Sequence, residues 1–161
     1  MPVELPVMWV IGLNIIGWPV IQLGVAWIFT RMPRRWFASE PEWTRPRGWE
    51  IGIYGKIIRI RQWKLMLPDG GTLFAGFAKR NLRSTDAAYL ASFVEETRRG
   101  EAAHWLMILA GGVFLIWNPL WADAVMLGYA LMANLPCIFT QRYNRWRLVR
   151  ALDARRSRSR A

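Results

Sequence analysis

Histidine and cysteine are nearly absent from this 161-residue chain, which carries one of each, His104 and Cys137. A single cysteine excludes a disulfide framework, and one inside an apolar run behaves as a small hydrophobe. One histidine excludes a three-histidine catalytic zinc and the paired Glu-x-x-His motifs of di-iron carboxylate sites, so no metal site is expected. Positive charge is missing from two long stretches. Neither 1–30 nor 105–141 contains a lysine or arginine, and each holds a single acid, Glu4 or Asp123. No Gly-rich phosphate loop, no G-x-S-x-G nucleophile elbow and no nucleic-acid motif occurs. The H-x-x-x-x-D box of many membrane acyltransferases is also lacking, because Leu109 stands where its Asp would be.

What is present is sharply segregated. The chain carries 22 Lys and Arg against 11 Asp and Glu, a formal net charge of +11. Fourteen of the cations lie between Arg31 and His104, and the other eight lie from Arg142 onward. Uncharged apolar runs between basic blocks describe an integral membrane protein, since a charge in hydrocarbon costs several kcal/mol. Eleven tryptophans fit the same reading, because Trp36, Trp105, Trp121 and Trp146 sit at run ends, where an indole straddles the membrane interface.

The run 7–30 is long enough to cross roughly 30 Å of hydrocarbon as a helix. Its lead-in is acidic and arginines follow it, so it reads as a retained span rather than a cleaved signal. Asn14 and Gln22, eight residues apart, share a face that points at protein. The segment 31–101 is broken by Pro33, Pro41 and Pro46. Within it, 49–67 mixes alternating and helical patterns, so short strands and an interfacial amphipathic helix both remain open. Pro68-Asp69-Gly70-Gly71 is a turn, and Ser84-Thr85-Asp86 can cap a helix running through Glu96 to His104. The runs 102–117 and 124–141, separated by Asn118-Pro119, predict a helical hairpin, with a re-entrant pair as the other option. The tail 142–161 is basic and frays at its end. The expected fold is therefore one all-α membrane domain of about three transmembrane helices. It would be multi-pass in a bacterial inner membrane, with both basic blocks on the cytoplasmic side. Three short spans enclose little interior, so a homo-oligomer fits.

Chemistry concentrates where helix meets membrane. Glu101 and His104 are three residues apart and share a helical face. A carboxylate beside an imidazole can orient it as a general base toward a hydroxyl. The plain alternative is a membrane-edge histidine beside an incidental acid. Asn134, inside the last apolar run, must find a polar partner. Arg142 and Arg145 can clamp an anionic ligand or anchor lipid headgroups.

These residues also carry a resemblance. Thr30-Arg31-x-Pro33, Glu50, Trp63-Lys64 before Asp69-Gly70, and Glu96-Thr97-x-Arg99-x-Glu101-x-x-His104-Trp105 form the first part of it. Tyr129-Ala130-x-x-Ala133-Asn134-x-Pro136 and Gln141-Arg142-Tyr143-Asn144-Arg145-x-Arg147-Leu148 complete it. In this pattern the chain resembles the bacterial glycosyl-4,4'-diaponeurosporenoate acyltransferases of staphyloxanthin-type carotenoid assembly, from Thr30 to Leu148. The resemblance implies a membrane acyltransferase that moves a fatty acyl chain onto a sugar hydroxyl of a glycosylated carotenoid or similar glycolipid. Its partners would be the lipid bilayer, a lipophilic glycosylated acceptor and an acyl donor, acyl-CoA or acyl carrier protein, with no other cofactor and no nucleic acid. The family pattern does not need a cysteine where Cys137 stands, which argues against a thioester on the enzyme. On this reading His104 and Glu101 are the catalytic pair. Arg99, Asn134, Gln141, Arg142, Tyr143, Asn144 and Arg145 bind substrate, with Arg142 and Arg145 holding the anionic part of the donor. The alternative is a non-enzymatic membrane subunit that binds headgroups or a partner enzyme.

Overall fold

A computed structural model describes residues 3–67 and 84–158. Helix α1 (Val7–Arg31) is 25 residues of almost unbroken apolar sequence that runs through Pro19. Arg31 ends it, which suits the negative C-terminal end of the helix dipole, and its guanidinium folds back over Trp27 at 4.2 Å. Most large side chains of α1 are exposed, Met8, Ile15 and Ile16 among them. They have lipid, not a protein core, as their natural surroundings.

Between α1 and residue 67 the chain forms only short helical turns. Helix α2 (Gly48–Gly52) runs into a π-helical turn at Ile53–Ile57, and α3 (Ile60–Trp63) follows. Arg59, in the left-handed region at φ 51°, separates them. The strand alternative for 49–67 is not realised, and no strand occurs among the described residues. The turn expected at Pro68-Asp69-Gly70-Gly71 lies outside the described residues.

Helix α4 (Ala87–Ala110) starts after Asp86, whose backbone N–H donates to Ser84 Oγ at 3.0 Å. No side chain caps the first turn directly. The helix tightens to a 3-10 stretch at Gly111–Ile116 and stops at Asn118-Pro119. The carbonyl of Pro119 accepts the N–H groups of Ala122 and Asp123, starting α5 (Leu120–Arg158). Its 39 residues make a rod of about 58 Å, nearly twice the hydrocarbon thickness. The basic tail expected from Arg142 is thus helical through Arg158. Among the described residues, α1 and α5 are the two helices long and apolar enough to cross a membrane. Five charges from Glu95 to Glu101 disqualify α4 as a whole.

Helices α4 and α5 form the antiparallel hairpin, α4 presenting Leu90, Val94, Thr97 and Glu101 along one face at helical spacing. At the far end from the apolar turn, Leu90, Phe93 and Val94 bury against Leu148 and Leu152. Helix α1 packs on α4, where Val25 meets Ala103 and Met107. Two glycines permit this approach. A Cβ on Gly17 would stand 2.8 Å from Phe114, and one on Gly111 would stand 2.7 Å from Trp18. At the hairpin turn, Asn14 and Asn118 exchange side-chain hydrogen bonds of 2.9 and 3.2 Å, and Trp117 Nε1 donates to Asn14 Oδ1. The inward face expected for Asn14 is explained by this closed ring of amides.

Candidate active site

Glu101 is fully buried, and its carboxylate receives two guanidiniums from α5. Arg142 and Arg145 are three residues apart, so one helical face delivers both. Arg142 Nε donates to Glu101 Oε1 at 2.7 Å, and Arg145 Nη2 donates to Glu101 Oε2. The remaining donors of Arg142 reach out of the hairpin. Its Nη1 contacts both oxygens of Glu50 at 3.1 and 3.2 Å, and its Nη2 meets the Trp43 carbonyl at 2.8 Å. Two cations and two carboxylates therefore balance, which is what allows them to be buried together. Arg145 is also fully buried, and its Nε and Nη1 have no partner among the described residues.

One turn along α4, His104 Nδ1 lies 2.8 Å from Asn134 Oδ1. Asn134 Nδ2 donates to the Ala130 carbonyl at 2.9 Å, which fixes the orientation of the amide. Its oxygen must then face the ring, so Nδ1 carries the proton and the basic lone pair falls on Nε2. The partner expected from helical spacing is Glu101. Glu101 shares a helical face with His104, yet both its oxygens are engaged by arginines, whose charge-assisted bonds to a carboxylate outcompete a neutral imidazole. Asn134, thirty positions away, holds the ring at Nδ1.

The other expected residues sit around this pair rather than in it. Arg99 is ion-paired with Glu96 at 2.7 Å and points toward the Thr30 and Met32 carbonyls at the end of α1. Tyr143 is buried with Ile51, Tyr54 and Ile60, and Asn144 accepts from Lys64 Nζ at 3.2 Å. Gln141 is half-buried, and its Oε1 has no partner among the described residues. Burial, then the neighbouring Arg147 and Arg61, pulls the Lys64 ammonium below its ordinary value. Tyr54 stacks on Phe139 at 5.3 Å between centroids. Burial, then the Glu50 carboxylate, pushes its phenol up, so it stays protonated at neutral pH beside Arg142.

Glu50 and Tyr54 were not among the expected site residues. A signal for Glu50 existed, as it is the sole acid in the apolar stretch Trp49-Glu50-Ile51 and belongs to the pattern of the resemblance. Tyr54 had none.

With this geometry in place, the comparisons with known proteins are specific. The family profile for glycosyl-4,4'-diaponeurosporenoate acyltransferase matches residues 33–154, which include every residue of the site. The chain belongs to this family. A glycosyl-4,4'-diaponeurosporenoate acyltransferase of Staphylococcus aureus is 31% identical over 140 residues, covering 84% of this chain and 83% of the relative. One of Staphylococcus haemolyticus is 32% identical over 134 residues, covering 81% of this chain and 78% of its own length. No solved structure matches the chain. Membership makes it an enzyme of the acyltransferase class, and its membrane-length helices accord with a bacterial membrane location.

Proposed function

We propose that this protein esterifies a sugar hydroxyl of a glycosylated carotenoid or closely similar glycolipid, with a fatty acyl thioester as donor. The family supports the reaction class and the acceptor. The observation that carries the mechanism is the His104–Asn134 pair, whose tautomer puts the base on Nε2. As the acceptor oxygen attacks the thioester carbonyl, Nε2 takes its proton. Collapse of the tetrahedral intermediate forms the ester and breaks the C–S bond, and the imidazolium returns the proton to the leaving thiolate. Thioester chemistry suits both acyl-CoA and acyl carrier protein as donor.

In this reading Glu101, Arg142, Arg145 and Glu50 position the site, since their charges are already satisfied by one another. Arg99, Gln141, Tyr143 and Asn144 would bind substrate on the basic side of it. The polypeptide crosses three times, the third crossing being the apolar end of α4 with its 3-10 extension. The basic segments face the cytoplasm, where acyl thioesters are made.

The test is transfer of labelled acyl groups from acyl-CoA, and separately from acyl carrier protein, to glycosylated carotenoid by the purified protein in nanodiscs. His104→Ala should lower kcat by about 10²- to 10⁴-fold, the usual worth of a positioned acid–base group. Wild-type turnover by that variant would remove His104 from the mechanism.

A further inference from the structure

We infer that the outer surface of residues 34–66 is a docking surface for the anionic phospholipid headgroups of the leaflet in which α1 ends. Its turns are too short for an amphipathic helix, yet they expose large apolar side chains that a water-facing loop would hide. Trp36, Trp43, Trp49, Ile57, Leu65 and Met66 are all exposed, Ile57 by 75% and Met66 by 83%. Among them stand the exposed cations Arg34, Arg35, Arg47, Lys56, Arg59 and Arg61. The segment carries eight cations against three acids. Of those acids, Glu40 is bridged to Arg45 and Arg98, and Glu50 is buried on Arg142. The outward charge is therefore strongly positive, the complement of an anionic lipid surface.

Depth gives an independent argument. The segment does not extend away from the bundle; it wraps it at the level where α1 stops. Arg98 holds the Phe37 and Ala38 carbonyls, and the adjacent Arg99 points at the carbonyls of Thr30 and Met32. Tyr54 stacks on Phe139 and Ile60 is packed beside Tyr143, so the inner side is committed to α5. A ring of tryptophan and arginine at that height lies among headgroups, with indoles at the interface and cations on phosphates. The same residues seat the site from within, because Trp43 and Glu50 hold Arg142. The leaflet is thus a ligand of the strap that closes over the site.

The experiment is spin-label depth measurement on the full chain with Cys137→Ala, labelled singly at Trp49→Cys, Ile57→Cys or Met66→Cys. Each nanodisc carries one copy, in phosphatidylcholine alone or mixed with phosphatidylglycerol. With the anionic lipid, oxygen should reach the labels several-fold more readily than a water-soluble nickel reagent, and this ratio should fall in phosphatidylcholine alone. Labels as open to nickel as a free aqueous label would overturn the inference. So would equal depth in both lipids. The readout needs no turnover, so it stands apart from the assignment of the reaction.

Discussion

Removing the Glu101 carboxylate tests the charge balance at the heart of the site. In Glu101→Ala, Arg145 would remain fully buried without a carboxylate, its Nε and Nη1 already lacking partners. Arg142 would keep Glu50 and the Trp43 carbonyl but lose its shortest contact. Breaking a buried pair by deleting one partner costs about 3–5 kcal/mol, most of it the penalty of the stranded charge. Neutralising both ends escapes that penalty. Glu101→Ala combined with Arg145→Met should recover about 2 kcal/mol or more of the loss, because an apolar side chain replaces the stranded cation. Reversible unfolding in mixed micelles, followed by helical circular dichroism, would measure all three proteins. A role for Glu101 through charge balance alone requires that the double variant regain acyl transfer along with stability. Additive losses, or a single variant within 1 kcal/mol of wild type, would refute the account of Glu101 as the neutralising centre of the hairpin.

Three further outcomes follow from particular contacts. Gly111→Ala and Gly17→Ala should each cost about 1–3 kcal/mol, since the new Cβ would run into Trp18 or Phe114, while Gly12→Ala, with open space around it, should unfold like wild type. Asn118→Ala should destabilise by about 1–3 kcal/mol in the same micellar titration, because it strands the Asn14 amide, while leaving KM for the donor unchanged. Burial raises the Tyr54 phenol above the usual tyrosine value of about 10, so its stabilising contribution is complete below pH 10 and is lost as pH climbs through the raised value. Wild type should therefore lose stability more steeply than Tyr54→Phe in alkaline unfolding titrations, and parallel curves would show that the phenol does not contribute.

What could be read in advance was whatever a short window determines. Hydropathy and charge are local sums, so the apolar stretch that became α1 and the break at Asn118-Pro119 were legible from residues alone. The hydrogen-bond demand of Asn134 was legible too, but not its answer. Pairings were legible only within a helical turn, which is why Glu101 was matched with His104. Its observed partners lie 41 and 44 positions away on another helix. The pieces between residues 49 and 67 defeated period counting because each is three to five residues long, shorter than either repeat needs. The arginines after 142 suggested only a basic tail, frayed at its end. Leu148 and Leu152, spaced to meet Leu90 and Phe93, make it the second arm of a helical pair, and that is visible only once the first arm is in place.

The ring of Asn14, Trp117 and Asn118 sets the two ends of the bundle apart. One extremity is riveted by uncharged amides, which neither acid nor salt can loosen. The other is laced by carboxylates and guanidiniums, and there the Glu40 pairs with Arg45 and Arg98 are partly open to solvent and are weakened by salt. Such a bundle behaves like a clothes-peg with its spring at the hairpin turn. Added salt therefore acts on the exposed pairs of the basic extremity and leaves the hairpin turn untouched.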